Sequence, residues 1–136
     1  METTSDSRPA GKTILVVDDE FGVLEVVEYI LADLGYAVVS AINGRAALAR
    51  IKEIKPDLIV LDFMMPVMDG AEFLKALRED PACREIPVIM TSALPEKNIK
   101  EKCSGFDIFL RKPYKYEHLI EAIEALLGKP VKKQEE

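Results

Sequence analysis

Ile14-Leu15-Val16-Val17-Asp18-Asp19-Glu20 is the most informative segment of the sequence, because a short apolar run passes directly into three acids. Two further apolar runs end in charge in the same way, Leu58-Ile59-Val60-Leu61 before Asp62 and Ile108-Phe109-Leu110 shortly before Lys112. An acid at a helix start complements the helix dipole, and we favour that explanation for Glu20 alone. Asp18, Asp19, Asp62 and Lys112 follow the ends of different apolar runs in one parallel-sheet pattern. Ligands bind at the carboxyl ends of such strands, so we expect one charged pocket.

The chemistry expected of this pocket is the binding of a divalent metal ion and a phosphoryl group. Carboxylates packed into a small volume repel one another and bind protons more tightly, unless a cation neutralises them. Mg²⁺ is suited to this role, because it is held by one or two carboxylates together with waters and a phosphate oxygen. A remaining carboxylate and Lys112 are then left for phosphate chemistry.

Short β-branched runs alternate with segments of helical period along the chain, which is typical of βαβ units around a parallel sheet. Strands are predicted over residues 14–17, 36–40, 58–61, 86–90 and 108–110. We predict a helix after each strand: one carrying Leu24, Val27, Leu31 and Leu34, one capped by Asn43, one beginning at Asp69-Gly70, a short and mobile one between Pro95 and Ser104, and a long amphipathic one from Tyr116 to Leu127. The carboxyl ends of parallel strands share one edge of the sheet, so the charged residues should converge there.

Composition excludes several classes of function. The 136 residues suit one domain with its own core, and the formal net charge of −6 argues against a nucleic-acid-binding surface. No apolar run approaches the length of a transmembrane helix, and residues 1–10 lack the apolar core of a signal peptide, so we expect a cytoplasmic protein without membrane contact. Cys83 and Cys103 have no metal-ligand spacing and are expected to be reduced thiols.

Four segments, taken together, resemble the receiver domain of two-component response regulators. They are Asp18-Asp19, Asp62-Phe63-Met64-Met65-Pro66-Val67-Met68-Asp69-Gly70, Thr91-Ser92 and Phe109-Leu110-Arg111-Lys112-Pro113-Tyr114. The resemblance implies an α/β fold of the flavodoxin-like, doubly wound type, with five parallel strands in the order 2-1-3-4-5 and five helices. We expect the receiver domain to cover residues 12–128, between a disordered N-terminal tail (residues 1–11) and a charged C-terminal tail (residues 129–136).

The resemblance also implies a role for each residue of the pocket. Asp62 would be the phosphoacceptor, attacking the phosphorus of a phosphohistidine. Lys112 and Thr91 would bind phosphoryl oxygens. The expected ligands of Mg²⁺ are Asp19, Asp62, the backbone carbonyl of Met64 and, through a water, Asp18.

Thr91 and Phe109 are the switch residues that the resemblance implies, with the ring of Phe109 turning inward when Thr91 moves toward the phosphate. The Lys112–Pro113 peptide bond is expected to be cis. Phe106 departs from the family pattern, which more often has a small residue there. This departure bears on the packing of the fourth helix and on the shape of the output face, which is expected to consist of the fourth helix, the fifth strand and the last helix. His118 lies off the apolar stripe of the last helix and should be an exposed residue without a functional role.

The expected function is that of a stand-alone, single-domain response regulator. It would accept a phosphoryl group from a sensor histidine kinase or phosphotransfer protein and then either change its affinity for a downstream target protein or hand the phosphoryl group onward in a relay. It would act as a monomer or as a dimer formed on phosphorylation. We expect no enzyme activity beyond its own phosphorylation and dephosphorylation. One alternative is a magnesium-dependent phosphohydrolase, although Met64 stands where such enzymes need an acid. Another is a receiver-like binding module that is never phosphorylated.

Overall fold

Five parallel strands alternate with five helices in the computed structural model, which describes residues 11–128. In chain order they are β1 (Thr13–Val17), α1 (Phe21–Asp33), β2 (Ala37–Ala41), α2 (Gly44–Glu53), β3 (Leu58–Asp62), α3 (Gly70–Glu79), β4 (Val88–Ser92), α4 (Glu96–Lys102), β5 (Ile108–Arg111) and α5 (Tyr116–Leu127). The sheet order is β2-β1-β3-β4-β5. This confirms the predicted fold class, whereas both predicted tails fall, apart from Gly11, outside the described residues.

The sheet has a hydrophobic core on each face. Every residue of β3 and β4 is buried, and alternate residues of β3 enter opposite cores: Ile59 and Leu61 face α2, α3 and α4, while Leu58 and Val60 face α1 and α5. A strand covered on both faces needs apolar side chains at successive positions. The continuous apolar run before Asp62 therefore correctly indicated a central strand. Within residues 11–128, no helix has the length and apolar character required to cross a membrane.

Two strands begin later than the sequence predicted, by one residue for β2 and by two for β4. Tyr36 belongs to the turn that follows α1, because its backbone N–H donates to the Leu31 carbonyl while Gly35 adopts a φ of 103°. The N–H of Ile86 donates to the Cys83 carbonyl in a turn, and Pro87 has no N–H to contribute to a sheet. Local hydrogen bonds that the periodicity did not reveal set both boundaries.

The start of α3 is fixed by the residues that follow β3. Asp69 and Glu72 form a capping box, in which each side chain accepts a hydrogen bond from the other residue's backbone N–H. A Cβ atom on Gly70 would lie 2.8 Å from the Cα atom of Phe63, so only glycine allows this close approach. The helix is thereby held against the end of the strand that delivers Asp62. Asn43 caps α2 as predicted, accepting from the N–H of Ala46.

The fourth helix is short, as predicted. Helix α4 has seven residues, and Ile99 is its one buried side chain. Its outer surface carries charge, including an exposed Lys100–Glu96 ion pair of 3.3 Å. A single buried anchor means that little apolar area holds this helix to the sheet. Its mobility remains a prediction.

Val67, in the loop between β3 and α3, has a left-handed backbone that a β-branched residue disfavours. Its φ is 72° and the residue is 68% exposed. We expect Val67→Asn to raise the free energy of unfolding by about 1 kcal/mol, because asparagine tolerates this conformation. Urea denaturation measures the change. The matched control is Val26→Asn on the exposed side of α1, which should give no gain, and an unchanged midpoint for Val67→Asn would contradict the assigned strain.

Candidate functional site

Three carboxylates meet at the carboxyl ends of β1 and β3. One carboxylate oxygen from each of Asp18, Asp19 and Asp62 lies within 4.8 Å of the others. Strands β1 and β3 are neighbours in the sheet, with Val17 paired to Leu61, so the residues that follow them emerge side by side. Asp18 and Asp62 are buried, whereas Asp19 is exposed. The structure thus brings together the three acids that the sequence predicted as one cluster.

Lys112 lies between the two buried carboxylates. Its Nζ is 2.9 Å from Oδ2 of Asp18 and 3.3 Å from Oδ1 of Asp62. The Lys112–Pro113 peptide bond is cis, as the resemblance implied. We expected the lysine to be left for a phosphoryl oxygen, yet here it pairs with both acids, because they are the opposite charges nearest to it. An incoming phosphoryl group would have to compete with Asp18 for this ammonium.

Burial and charge shift the proton affinities of this pocket. Desolvation raises the pKa of Asp62 to about 7, and the negative charge of Asp18 adds to the rise, while Lys112 opposes it. Burial would lower the pKa of Lys112, but its hydrogen bond with Asp18 and the charge of Asp62 outweigh this and raise it. The lysine is therefore a stable cation, whereas Asp62 needs further positive charge to remain ionised.

The donor set of the cluster fits a hard divalent cation. Mg²⁺ prefers oxygen ligands and commonly uses only one or two carboxylates, and the three acids offer oxygens close enough together to share one ion. Asp18 is the least available of them, because Oδ1 accepts from the Glu20 N–H and Oδ2 from Lys112. That arrangement agrees with contact through a water. The part expected of the Met64 carbonyl stays a prediction, and the Met64 side chain is exposed.

Thr91 lies on the strand next to Asp62. The two residues are register partners in β3 and β4, and the N–H of Phe63 donates to the Thr91 carbonyl. Both Thr91 and Ser92 are buried. A hydroxyl on the adjacent strand at the same level is placed to meet a group attached to Asp62. Its role toward a phosphoryl group stays a prediction.

Phe109 packs beside the residue that departs from the family pattern. Its ring centroid is 6.3 Å from that of Phe106, at an interplanar angle of 49°. Both rings are partly buried and lie against the core cluster on the α4 side of the sheet. Any reorientation of Phe109 would therefore change its contact with Phe106. The switch role of Phe109 stays a prediction.

Tyr114 belongs to the site but was not singled out from the sequence. Burial raises the pKa of its phenol to about 12, and its ring meets that of Tyr116 edge to face at 6.1 Å. Both tyrosines line a cavity of about 370 Å³ beside Lys112, together with Glu20, Val23 and Ala93. The feature of the sequence that could have identified Tyr114 as a site residue is its position directly after Lys112-Pro113.

The remaining candidates lie away from the pocket. His118 is exposed on α5, as predicted. Cys83 and Cys103 are free thiols, and burial raises the pKa of each. Neither thiol contributes to the acidic cluster.

Residues 14–124 match the response regulator receiver domain. The chain is 38% identical over 119 residues to the phosphate regulon transcriptional regulatory protein PhoB of Pseudomonas aeruginosa, a match that covers 86% of this chain and 52% of that regulator. The chain thus spans about half the length of this relative. It is also 36% identical over 128 residues to Protein PilG of the same organism, with 92% of this chain and 91% of PilG covered.

Solved structures share the fold. The receiver domain of a sensor histidine kinase from Pseudomonas aeruginosa, with a magnesium ion coordinated in its active site cleft, superimposes with a TM-score of 0.80 at 29% identity, covering 88% of this chain and 99% of that one. Receiver domains bind Mg²⁺ at an acidic site, and this chain carries a cluster of three acids that could hold such an ion. The sequence match and the fold lead to one conclusion, that this chain belongs to the family of response regulator receiver domains.

Proposed function

We propose that this protein accepts a phosphoryl group on Asp62 from a sensor histidine kinase or phosphotransfer protein and thereby changes its affinity for a downstream protein. One observation carries the proposal: a buried carboxylate at the end of a central strand lies beside two further acids and a lysine. Such a set provides a nucleophile, a metal site and a cation for phosphoryl oxygens in one place. Among the described residues this is the one acidic cluster with metal-ligand geometry.

The reaction uses Asp62 in its ionised form. An oxygen of Asp62 forms a bond to phosphorus, the bond from phosphorus to the histidine nitrogen breaks, and that nitrogen retains the electron pair. Lys112 then exchanges its contact with Asp62 for one with a phosphoryl oxygen. We assign Asp19, Asp62 and the Met64 carbonyl as Mg²⁺ ligands, with Asp18 acting through a water. When bound, the ion supplies positive charge for the non-bridging phosphoryl oxygens.

The surface around the pocket favours a protein as the phosphoryl donor. Seven large apolar side chains are exposed among the described residues, and five of them follow the carboxyl ends of strands, near the pocket: Phe21, Ile42, Met64, Val67 and Tyr116. Apolar side chains gathered around a charged centre are typical of a surface that another protein covers. A small phosphodonor alone would not require them.

We assign the response to Thr91 and Phe109. The Thr91 hydroxyl, on the strand next to Asp62, donates to a phosphoryl oxygen and draws the end of β4 toward it. Phe109 pairs in register with Met90, the residue before Thr91, and fills the space that this movement leaves. The face formed by α4, β5 and α5 then changes shape, and downstream proteins bind it differently.

We further propose a single-domain regulator that acts in the cytoplasm without nucleic-acid or membrane contact, as a monomer or as a dimer formed on phosphorylation. Its match to Protein PilG over nearly the whole of both chains supports the single-domain assignment. Its chemistry is confined to phosphorylation and dephosphorylation of its own aspartate, so it is not an enzyme acting on other molecules.

Phosphorylation by acetyl phosphate tests this function. Intact-mass spectrometry should show one phosphoryl adduct on the wild-type protein with Mg²⁺, and none with a chelator present. Asp62→Asn should show no adduct, because the amide is not a nucleophile for phosphorus. The control is Asp107→Asn, which removes a carboxylate that lies at the opposite end of the sheet, before β5, and should leave the yield unchanged. An adduct of equal yield on Asp62→Asn would refute the assignment.

Met64 and Ala93 are expected to make the phosphorylated state long-lived. They stand two residues after Asp62 and two after Thr91, and both are exposed at the rim of the pocket. Neither side chain binds water strongly, so neither can hold a water in line behind the phosphorus. We expect Met64→Asn, Ala93→Glu and, most of all, the double variant to lose the phosphoryl group faster than the wild type.

Decay of the adduct after removal of the donor, at fixed Mg²⁺, measures this difference. Val67→Asn is the matched control, because it adds the same amide in the same loop but not at the position two residues after Asp62. Polar variants that decay at the wild-type rate would show that these two side chains do not set the lifetime.

A further inference from the structure

Three hydrogen bonds hold the loop that follows β4. The hydroxyl of Ser92 accepts from the N–H of Leu94 at 3.1 Å, and the carbonyl of Ser92 accepts from the N–H of Lys112 at 2.8 Å. The third runs from Nε of Arg111 to the carbonyl of Ala93, also at 3.1 Å. The donors of two of these bonds, Arg111 and Lys112, lie at the end of β5. The Arg111 bond is the one in which a side chain from another element contacts the loop.

The bonds differ in what a movement of this loop does to them. The Ser92–Leu94 bond lies within the loop, and it opens when the loop itself loosens. The Ser92–Lys112 bond continues the ladder between β4 and β5, in which Ser92 is the register partner of Arg111. The Arg111–Ala93 bond reaches past the end of the ladder to the residue two positions after Thr91. Of the three, it is the bond that ties the loop beyond β4 to another strand, so a movement of the loop relative to β5 must stretch or break it.

We propose that Arg111 is a positioning residue, whose guanidinium holds the carbonyl of Ala93 and keeps the loop after β4 in its resting geometry, opposing the movement of Thr91 toward a phosphorylated Asp62. This inference rests on the proposed function. The bond is made in the resting geometry and is lost when Thr91 moves toward phosphorylated Asp62. It therefore stabilises the unphosphorylated state relative to the phosphorylated one. A single net hydrogen bond of this kind shifts such an equilibrium by about two- to tenfold.

The positive charge of Arg111 has the opposite effect to its hydrogen bond, because it stabilises the phosphorylated state. A guanidinium next to Lys112 attracts an anionic phosphoryl group, so removal of the charge alone would weaken the phosphorylated state. Arg111 is exposed, and its charge is therefore screened by salt. The loss of a positioning contact is not screened in this way, and a measurement at high salt separates the two effects.

The test uses Mg²⁺ with beryllofluoride as the phosphoryl mimic, in roughly 1 M salt, where the screening length is about 3 Å. Arg111→Met keeps an unbranched apolar stem and removes the donor, and it should raise the affinity for beryllofluoride about two- to tenfold. Arg45→Met is the matched control, because Arg45 is an exposed arginine at the start of α2, and its affinity should equal that of the wild type. An affinity of Arg111→Met equal to or below the wild-type value would overturn the proposal.

Hydrogen exchange of the Leu94 amide provides a second readout that needs no ligand. Release of the loop in Arg111→Met should speed this exchange by about the same two- to tenfold factor, with no change in Arg45→Met. Unchanged exchange would also overturn the proposal. Failure of the wild-type protein to bind Mg²⁺ and beryllofluoride would instead refute the proposed function, and the Leu94 exchange rate would still decide the role of Arg111.

Discussion

Asp62→Asn is expected to raise the free energy of unfolding of the magnesium-free protein above neutral pH by several kcal/mol, on the order of 4. The reason is the pKa of about 7 that burial and the charge of Asp18 give to Asp62 in the folded protein, against an ordinary value of 3.8. Ionised Asp62 is thus more costly in the folded protein than in the unfolded chain. Asparagine removes this cost.

The sign of the pH dependence follows from the same values. Between about pH 4 and about pH 7 folded Asp62 binds a proton that the unfolded chain has released, so wild-type stability falls as the pH rises through this window. Urea denaturation with a chelator present measures the profile for the wild type and for Asp62→Asn, which should lack this fall. The control is Asp19→Asn, an exposed neighbour in the same cluster, which should keep most of it. Parallel wild-type and Asp62→Asn profiles would contradict the pKa assigned to Asp62.

Lys112→Ala is expected to lower both the stability of the protein and its conformational response to phosphorylation. Without Mg²⁺ it should lower the free energy of unfolding by about 3 kcal/mol, because it leaves two buried carboxylates without their cation. Phosphorylation with Mg²⁺ should remain measurable, since the nucleophile and the metal ligands are intact. The conformational response should weaken at least about tenfold, because a charge-assisted contact contributes about 1.5 to 3 kcal/mol.

Urea denaturation measures the first effect of Lys112→Ala, and amide chemical-shift changes on phosphorylation measure the second. The control is Lys100→Ala, which breaks an exposed ion pair with Glu96 on α4 and should cost under about 1 kcal/mol. Chemical-shift changes in Lys112→Ala that equal those of the wild type would show that Lys112 has no role in the conformational response. Equal losses of stability in Lys112→Ala and Lys100→Ala would contradict the assignment of the Lys112 ion pairs as buried.

Much of the fold was predictable because it depends on local patterns. The alternation of apolar runs and helical segments indicated all five strands and all five helices, and Asn43 and Asp69 marked two helix starts through their capping chemistry. The strand order came from the family resemblance. The starts of β2 and β4 were misplaced, because the hydrogen bond from Tyr36 to Leu31 and the turn at Cys83 depend on how the backbone folds back, which periodicity does not encode.

The members of the candidate site were predictable, but their contacts were not. Asp18, Asp62 and Lys112 follow different strands, so parallel topology alone brought them to one edge. That Lys112 pairs with Asp18 more closely than with Asp62 depends on distances set by the packed loops. The same holds for Arg111, whose bond to the Ala93 carbonyl joins residues 18 positions apart. The left-handed backbone of Val67 was equally hidden, since valine is the residue type that least suggests it.

The residue that carries the phosphoryl group can be identified directly by chemical reduction and mass spectrometry. The protein is phosphorylated with acetyl phosphate and Mg²⁺ and then reduced with borohydride, which converts an aspartyl phosphate to homoserine, and its peptides are sequenced by mass spectrometry. We expect homoserine at position 62 alone, and none when Mg²⁺ is chelated. Homoserine at position 18 or 19, or a phosphoryl group on any other residue with Asp62 unmodified, would contradict this expectation.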